Sequence, residues 1–327
     1  AAAGVVWMNI AVNRSDSATR SSLATSQPLL AQWRIPLSLR MFLGILALLG
    51  VCRGVWLAIG IWRFDAAIAQ IERAGGLVDR ISGAPAEMKL TYWPENQWVS
   101  PWLKHATHVR LAGSRITDAG LGAVGSLSDL RNVDLRHSAV SDAGIAHLSE
   151  LTRMEVLNLE NTLVTDAGLS KLSGLTGIKF LFLSQTQITD ASLACIKGMP
   201  GLQVLSLDQT AVSDAGLAQL SGSSALFELH LDNTRVGDAG LGHLQDLERF
   251  EHLFLRGTDV TDAGMLHLER WTFLNQLHLD DTNVTDAGLI HLQGLRRLRV
   301  LSLRRTRVTG GGVAALKHRL PDLAIEM

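Results

Sequence analysis

Residues 284–289 read VTDAGL, and close copies run back along the chain: VTDAGM at 260–265, VSDAGL at 212–217, VTDAGL at 164–169 and ITDAGL at 116–121. Aspartates fall at Asp118, Asp142, Asp166, Asp190, Asp214, Asp238, Asp262 and Asp286, a spacing of 24 residues with no insertion. A period of that size marks a solenoid, in which each unit buries its apolar face only against its neighbours. In one unit, residues 151–174 read LTRMEVLNLENTLVTDAGLSKLSG. Leu157 and Leu159 alternate as in a strand and point to one side, whereas Leu169 and Leu172 have helical spacing. The unit therefore predicts a strand, a turn, a short helix and a return.

The pattern L-x-x-L-x-x-L-x-L-x-x-T-x-V-T-D-A-G-L-x-x-L resembles the leucine-rich repeat family over nine strands, from Val109-Leu111 to Leu301-Leu303. Where that family usually carries Asn or Cys in its turn, this chain has Thr162, Thr186, Thr210, Thr234, Thr258, Thr282 and Thr306, with Ser114 and Ser138 in the first units. A hydroxyl can also bond backbone groups inside a bend. The resemblance implies an α/β fold: a curved solenoid with a parallel sheet on its concave face and short helices on its convex face. The wider layout, an apolar N-terminal run, ERAGG, a Trp/Pro segment and then VTDAGL repeats, is similar to membrane-anchored leucine-rich repeat proteins of planctomycete-type bacteria.

The recurring aspartate follows Thr117, Ser141, Thr165, Thr189, Ser213, Gly237, Thr261 or Thr285, all preferred helix N-caps, and Thr309 continues the series. Each aspartate is expected in a first helical turn, where it meets the positive end of the helix dipole, so the eight carboxylates read as helix-start architecture and not as ligands. The glycine two residues on costs about 1 kcal/mol relative to alanine inside a helix. Close approach of adjacent coils would explain it, and Ser192 is its one replacement.

Upstream of the repeats lie several segments of different character. Residues 1–34 are expected to be a disordered segment, within which the Ser/Thr-rich RSDSATRSSLATSQP at 14–28 cannot bury enough apolar surface to offset the entropy of ordering. Residues 41–62, MFLGILALLGVCRGVWLAIGIW, form a 22-residue run with Arg53 as its single charge. As a helix this run would be roughly 33 Å long, enough for one bilayer crossing, and a transmembrane helix is expected within 35–63. Residues 64–83 are read as a juxtamembrane helix and linker, with Ile68 and Ile71 one turn apart and a stop at Gly75-Gly76. Residues 84–107, with Trp93, Trp98 and Trp102, are read as an N-terminal cap, 108–316 as the repeats and 317–327 as a C-terminal cap.

The formal net charge of −1 provides no global field for nucleic acid. No Walker, G-x-S-x-G, H-E-x-x-H or Rossmann motif occurs, and no cofactor is expected. The varying strand positions are where a protein partner would be read: Phe180, Phe182, Asp208, His230, Asp232, His252, Phe254, Arg256, His278, Asp280 and Arg304. Exposed aromatics in this set suit an interface, and Asp232, Arg256, Asp280 and Arg304 form a ladder expected to pair across strands. His230 and His278 stand two strands, roughly 10 Å, apart, too far to share a zinc ion. His147, His243, His267 and His291 share one outer helix position and read as surface residues. The expectation is a non-enzymatic, single-pass membrane protein with its repeats on the non-cytoplasmic side. Its alternatives are a soluble adaptor of ubiquitin-ligase type and a metal-dependent enzyme on the concave face.

Overall fold

The structure, a computed structural model, describes residues 66–80 and 106–327. The expected disordered segment, the span at 41–62 and the tryptophans of 84–107 lie outside the described residues. Among those described, no helix is long and apolar enough to cross a membrane. Eleven strands form one sheet in chain order. From Ala106–Arg110 onward every neighbouring pair is parallel. The register advances by one repeat at each step, Val109 facing Val133, Leu157, Leu181 and so on to Leu301 and Ile325.

Each inner strand is three residues long, with its middle residue buried and, in most coils, its outer two half-exposed. Leu157 and Leu159 are both fully buried, as their alternation predicts. Beyond each strand the chain bends through a left-handed residue. The nine such positions are Gly113, His137, Asn161, Gln185, Gln209, Asn233, Gly257, Asp281 and Arg305. The hydroxyl that follows holds the bend: Thr162 donates to the Leu159 carbonyl at 2.7 Å, and Thr210, Thr234, Thr258 and Thr282 repeat the bond to the leucine three residues back. Those threonines are buried, so the bond satisfies a carbonyl that water cannot reach. Ser114, in the first coil, instead accepts from the Ile116 N–H.

On the opposite side the N-cap reading holds in the backbone: Thr117, Ser141, Thr165, Thr189, Ser213, Gly237, Thr261 and Thr309 are extended N-caps. The helices are mostly one or two turns, and the coil that carries residues 284–289 has a 3-10 turn at Gly288–Leu292. The role of the aspartate differs from the expectation. It occupies the first turn, but its carboxylate reaches into the next coil. Asp142 accepts the Thr165 N–H at 2.8 Å on one oxygen and the Thr165 hydroxyl at 2.6 Å on the other. The same pair of bonds joins Asp118 to Ser141, Asp166 to Thr189, Asp190 to Ser213, Asp238 to Thr261, Asp262 to Thr285 and Asp286 to Thr309. Asp214 makes only the backbone bond, because Gly237 has no hydroxyl to give.

That carboxylate explains the glycine. A Cβ on Gly144 would lie 2.5 Å from Asp118 Oδ1, and one on Gly264 2.4 Å from Asp238 Oδ1. Ser192, the one replacement, is buried and turns its hydroxyl onto Asp166 Oδ1.

The ends close differently from the middle. Residues 66–73 form the expected helix, but it packs on the first coil: Ala67, Ile68 and Ile71 are buried. Gly75, left-handed, ends the helix, and the Arg115 N–H donates to the Ala74 carbonyl. Leu77–Arg80 then pairs antiparallel with the first repeat strand. Part of the expected linker thus covers the first coil. At the other end Gly310–Arg319 is a ten-residue helix, and Ala324–Glu326 adds the last parallel strand. Gly312 keeps the glycine position against Asp286, while Gly310 stands where an aspartate would reach onward.

Gly216→Ala places a methyl 2.4 Å from Asp190 Oδ1 and 2.7 Å from Leu193 Cδ1, and is expected to lower the unfolding free energy by about 1–3 kcal/mol. Gly222 has open space around it, so Gly222→Ala is expected to stay within about 0.5 kcal/mol. Urea unfolding of both variants, followed by circular dichroism, checks the difference. Equal losses would show that the carboxylate does not set the glycine requirement.

Candidate interaction face

Successive parallel strands bring the first and third residues of each coil onto one open face of the sheet. The third-position row runs Arg110, Asp134, Asn158, Phe182, Ser206, His230, Phe254, His278 and Ser302. Phe180 and His252 belong to the first-position row. Phe180, Phe182 and Phe254 are half-buried on this face, and not exposed as the sequence suggested. The strand neighbours of Phe180 are Val156 and Val204, and those of Phe182 are Asn158 and Ser206.

The centre of the row is a stack of rings. His230 and Phe254 lie 4.1 Å apart and nearly parallel, and Phe254 and His278 lie 4.7 Å apart. The ring separations track the strand spacing of about 4.8 Å. Both faces of Phe254 are thus covered by imidazoles, and that ring fills the interval between His230 and His278. His230 Nε2 lies 2.7 Å from Glu228 Oε1, and Nδ1 lies 4.0 Å from Asp208 Oδ2. Among the described residues no group of three His, Cys, Asp or Glu side chains could hold a metal ion.

The row beside it is a second set of stitches. Asp208 Oδ1 accepts the Asp232 N–H, and Asp232 Oδ1 accepts the Arg256 N–H, each at 2.8 Å. Asp280, buried, accepts the Ser302 hydroxyl at 2.6 Å and the Arg304 N–H at 2.7 Å. The arginines pair elsewhere: Arg256 with Asp281 at 3.0 Å, Arg304 with Glu326 at 2.9 Å, and Arg305 also with Asp281. The expected cross-strand ladder of Asp232, Arg256, Asp280 and Arg304 is replaced by carboxylates bonded to backbone N–H groups of the next coil. A backbone donor held at fixed distance needs no side-chain ordering, so it outcompetes a flexible guanidinium.

Charge state follows from these contacts. Burial pushes the Asp232 carboxyl up, and the neighbouring Asp208 carboxylate adds to this against the bond from Arg256. On the helix side, the Thr309 hydroxyl and N–H hold Asp286 below the ordinary carboxylate range. For Asp118 and Asp166 burial acts upward, and the hydrogen bonds from the next coil outweigh it.

Toward the first coils the face opens into a shallow groove lined by His108, Arg110, Asn132, Asp134, Val156, Asn158 and Phe182. Arg136 pairs with Asp134 at 3.2 Å, and Asn158 accepts the Glu160 N–H. On the outer face His147 and His243 are exposed, while His267 and His291 are half-buried and His291 bonds Glu269 at 2.6 Å. The ring stack and the second carboxylate row went unread in the sequence. Their signal was present: Asp208, Asp232 and Asp280 each follow an L-x-L strand directly.

No protein-family model matches the chain, and no curated protein matches it. Among solved structures it is similar to internalin C2 of Listeria monocytogenes, at 26% identity and a TM-score of 0.52, over 61% of this chain and 80% of that one. It also matches the Listeria internalin inlF at 16% identity and a TM-score of 0.37, over 67% of this chain and 86% of that one. A third match is the plant peptide hormone receptor RGFR1 in complex with RGF2, at 15% identity and a TM-score of 0.44, over 62% of this chain and 33% of that one. These are leucine-rich repeat proteins. The fold is a leucine-rich repeat solenoid. Its ten consecutive strands from residue 106 onward form the parallel sheet, and short helices form the opposite side.

Asp232→Asn keeps the acceptor for the Arg256 N–H and removes the charge. Because the folded pKa of Asp232 is raised, its ionisation opposes folding once pH rises above the unfolded value of about 3.9. The variant is expected to melt higher than wild type at pH 7, with the gain shrinking toward pH 4. A lower melting temperature at pH 7 would contradict this.

Proposed function

We propose that the protein is a non-enzymatic, membrane-anchored scaffold that binds a partner protein through the open face of its sheet. The observation that carries the reading is a division of labour among side chains. The carboxylates at the helix starts and beside the strands are consumed in joining coils, whereas the strand rows carry rings and polar groups that no repeat rule requires. Phe180 and Phe182 stand there with Arg110, Asn132 and Asn158 close by. Half-buried aromatics with polar neighbours are the composition of an interface core. The likeness to a leucine-rich repeat internalin supports a binding scaffold in general terms. Anchoring through 41–62, with the repeats on the non-cytoplasmic side, is the part of the reading supported by the sequence alone.

A photo-crosslinking residue placed at 182 in the full chain is expected to trap one defined protein in membranes of the source cells, and the same residue at 147 is expected not to. Phe180→Asp in the 182-labelled chain is expected to abolish the product. Equal trapping from both positions would rule out the sheet face. Carbonate extraction of the same membranes is expected to leave the chain in the pellet, and release would remove the anchor from the proposal.

A further inference from the structure

On the side where the chain enters its strands, two rows of side chains run from coil to coil, and charged groups there pair along the row with the coil before or after. Arg131 and Lys179 each pair with Glu155 at 2.7 Å, and Arg153 pairs with Asp129. One coil breaks the rule. Arg249 and Glu251 stand in the same two rows as Arg153 and Glu155, yet among the described residues neither side chain has a hydrogen bond or an ion pair. The identity of their neighbours is the reason. In the row of Glu251 the adjacent residues are Phe227 and Asn275, joined to it through the backbone, and in the row of Arg249 they are Ala225 and Phe273. Phenyl rings stand where counter-charges would be.

These residues line one groove of about 410 Å³, with Phe227 and Phe273 to either side of the coil that carries Arg249 and Glu251, and Gln203 and Ala225 toward the earlier coils. Phe273 is 41% exposed, Phe227 is half-buried, and Arg249 and Glu251 are exposed. The Arg297 guanidinium lies 4.3 Å from the centre of the Phe273 ring, a cation–π contact that steadies an otherwise exposed ring. The rings need apolar cover, and the two charges need partners of opposite sign. An anionic surface would satisfy Arg249 and repel Glu251, and a cationic one would do the reverse. A surface that supplies both charges at the matching spacing is this surface itself.

We infer that this groove is a self-association surface, on which a second copy of the chain pairs its Glu251 with Arg249 and its Arg249 with Glu251 across a two-fold axis. In such a contact residue i meets residue j and j meets i. An axis running along the stack of coils exchanges the two rows, so both ion pairs form at once. Phe227 of each copy then falls opposite Ala225 of the other, the smallest residue lining the groove. An axis running across the stack would set Arg249 against Arg249 and is excluded by charge. The groove shares no residue with the open sheet face, so the inference stands apart from the partner proposed for that face.

The test uses the full chain in detergent, produced with two different affinity tags, and measures the fraction of one tagged chain recovered with the other. Wild type is expected to recover itself, and less so at raised salt. Arg249→Glu sets like charges opposite each other at both pairs, and so does Glu251→Arg. Each variant alone is expected to lower self-recovery at least about tenfold. Both replaced side chains are exposed, and the far-ultraviolet circular dichroism of each variant is expected to match wild type. Mixing the two variants restores complementarity, because one carries two acidic groups and the other two basic groups, and recovery between them is expected to return to the wild-type level. Association through the apolar run 41–62 would be blind to these charges. Absence of self-recovery in wild type, self-recovery of either single variant at the wild-type level, or failure of the two variants to recover each other overturns the inference.

Discussion

A carboxylate that leaves one coil to accept two hydrogen bonds from the next is the contact on which the rest of the structure depends. Burial of leucines supplies the larger energy, at about 1.5–3 kcal/mol for each side chain fully removed from water. Apolar contact, however, is non-directional, and a leucine stripe can slide along its neighbour. The Asp to Ser/Thr bond is directional, and it recurs at one fixed place in each coil. It ties the first turn of each helix to the extended cap of the following one. The same carboxylate crowds the Cβ space of the glycine two residues on, and Ser192, the one replacement, is accommodated by bonding it.

The same logic recurs on the sheet side with different residues. Asp208, Asp232 and Asp280 each accept a hydrogen bond from a backbone N–H of the next coil. Two lines of carboxylates, one at the helix starts and one beside the strands, therefore stitch the later coils. With architecture assigned to those residues, the strand rows are free to vary, and the rings at 230, 254 and 278 are features of this chain and not of the repeat.

The fold was legible in the sequence because its constraint is periodic. A repeat of 24 residues with L-x-L and a helical L-x-x-L states strand, turn and helix together, and each coil confirms the others. The N-cap residues were legible for the same reason. The direction of the aspartate was not: spacing along one helix says nothing of a partner 23 residues ahead, although the glycine pointed to close approach. The left-handed bend was hidden because only Gly113, Asn161, Asn233, Gly257 and Asp281 have the usual residue types, while Gln185, Gln209, His137 and Arg305 are forced into it by their neighbours. The arginine pairing was misread because Arg256 finds Asp281 in the bend of the following coil and not Asp280 in its strand. The packing of the 66–73 helix on the first coil was not legible, since Ile68 and Ile71 read equally well as one side of an isolated helix.

Nature has left one clamp incomplete, and it offers the most direct test. Gly237 presents only its N–H to Asp214, and a Cβ there would lie 3.6 Å from Asp214 Oδ2 in otherwise ordinary contact. The measurement is the change in unfolding free energy on Gly237→Ser, made in wild type and in an Asp214→Ala background, so that the serine's own capping contribution cancels. If inter-coil carboxylates clamp the stack, the gain in wild type exceeds that in the Asp214→Ala background by about 0.5–1.5 kcal/mol, the worth of one hydrogen bond. An equal gain in both backgrounds would mean that the carboxylate only seats its own helix, and the account of the clamp would be wrong.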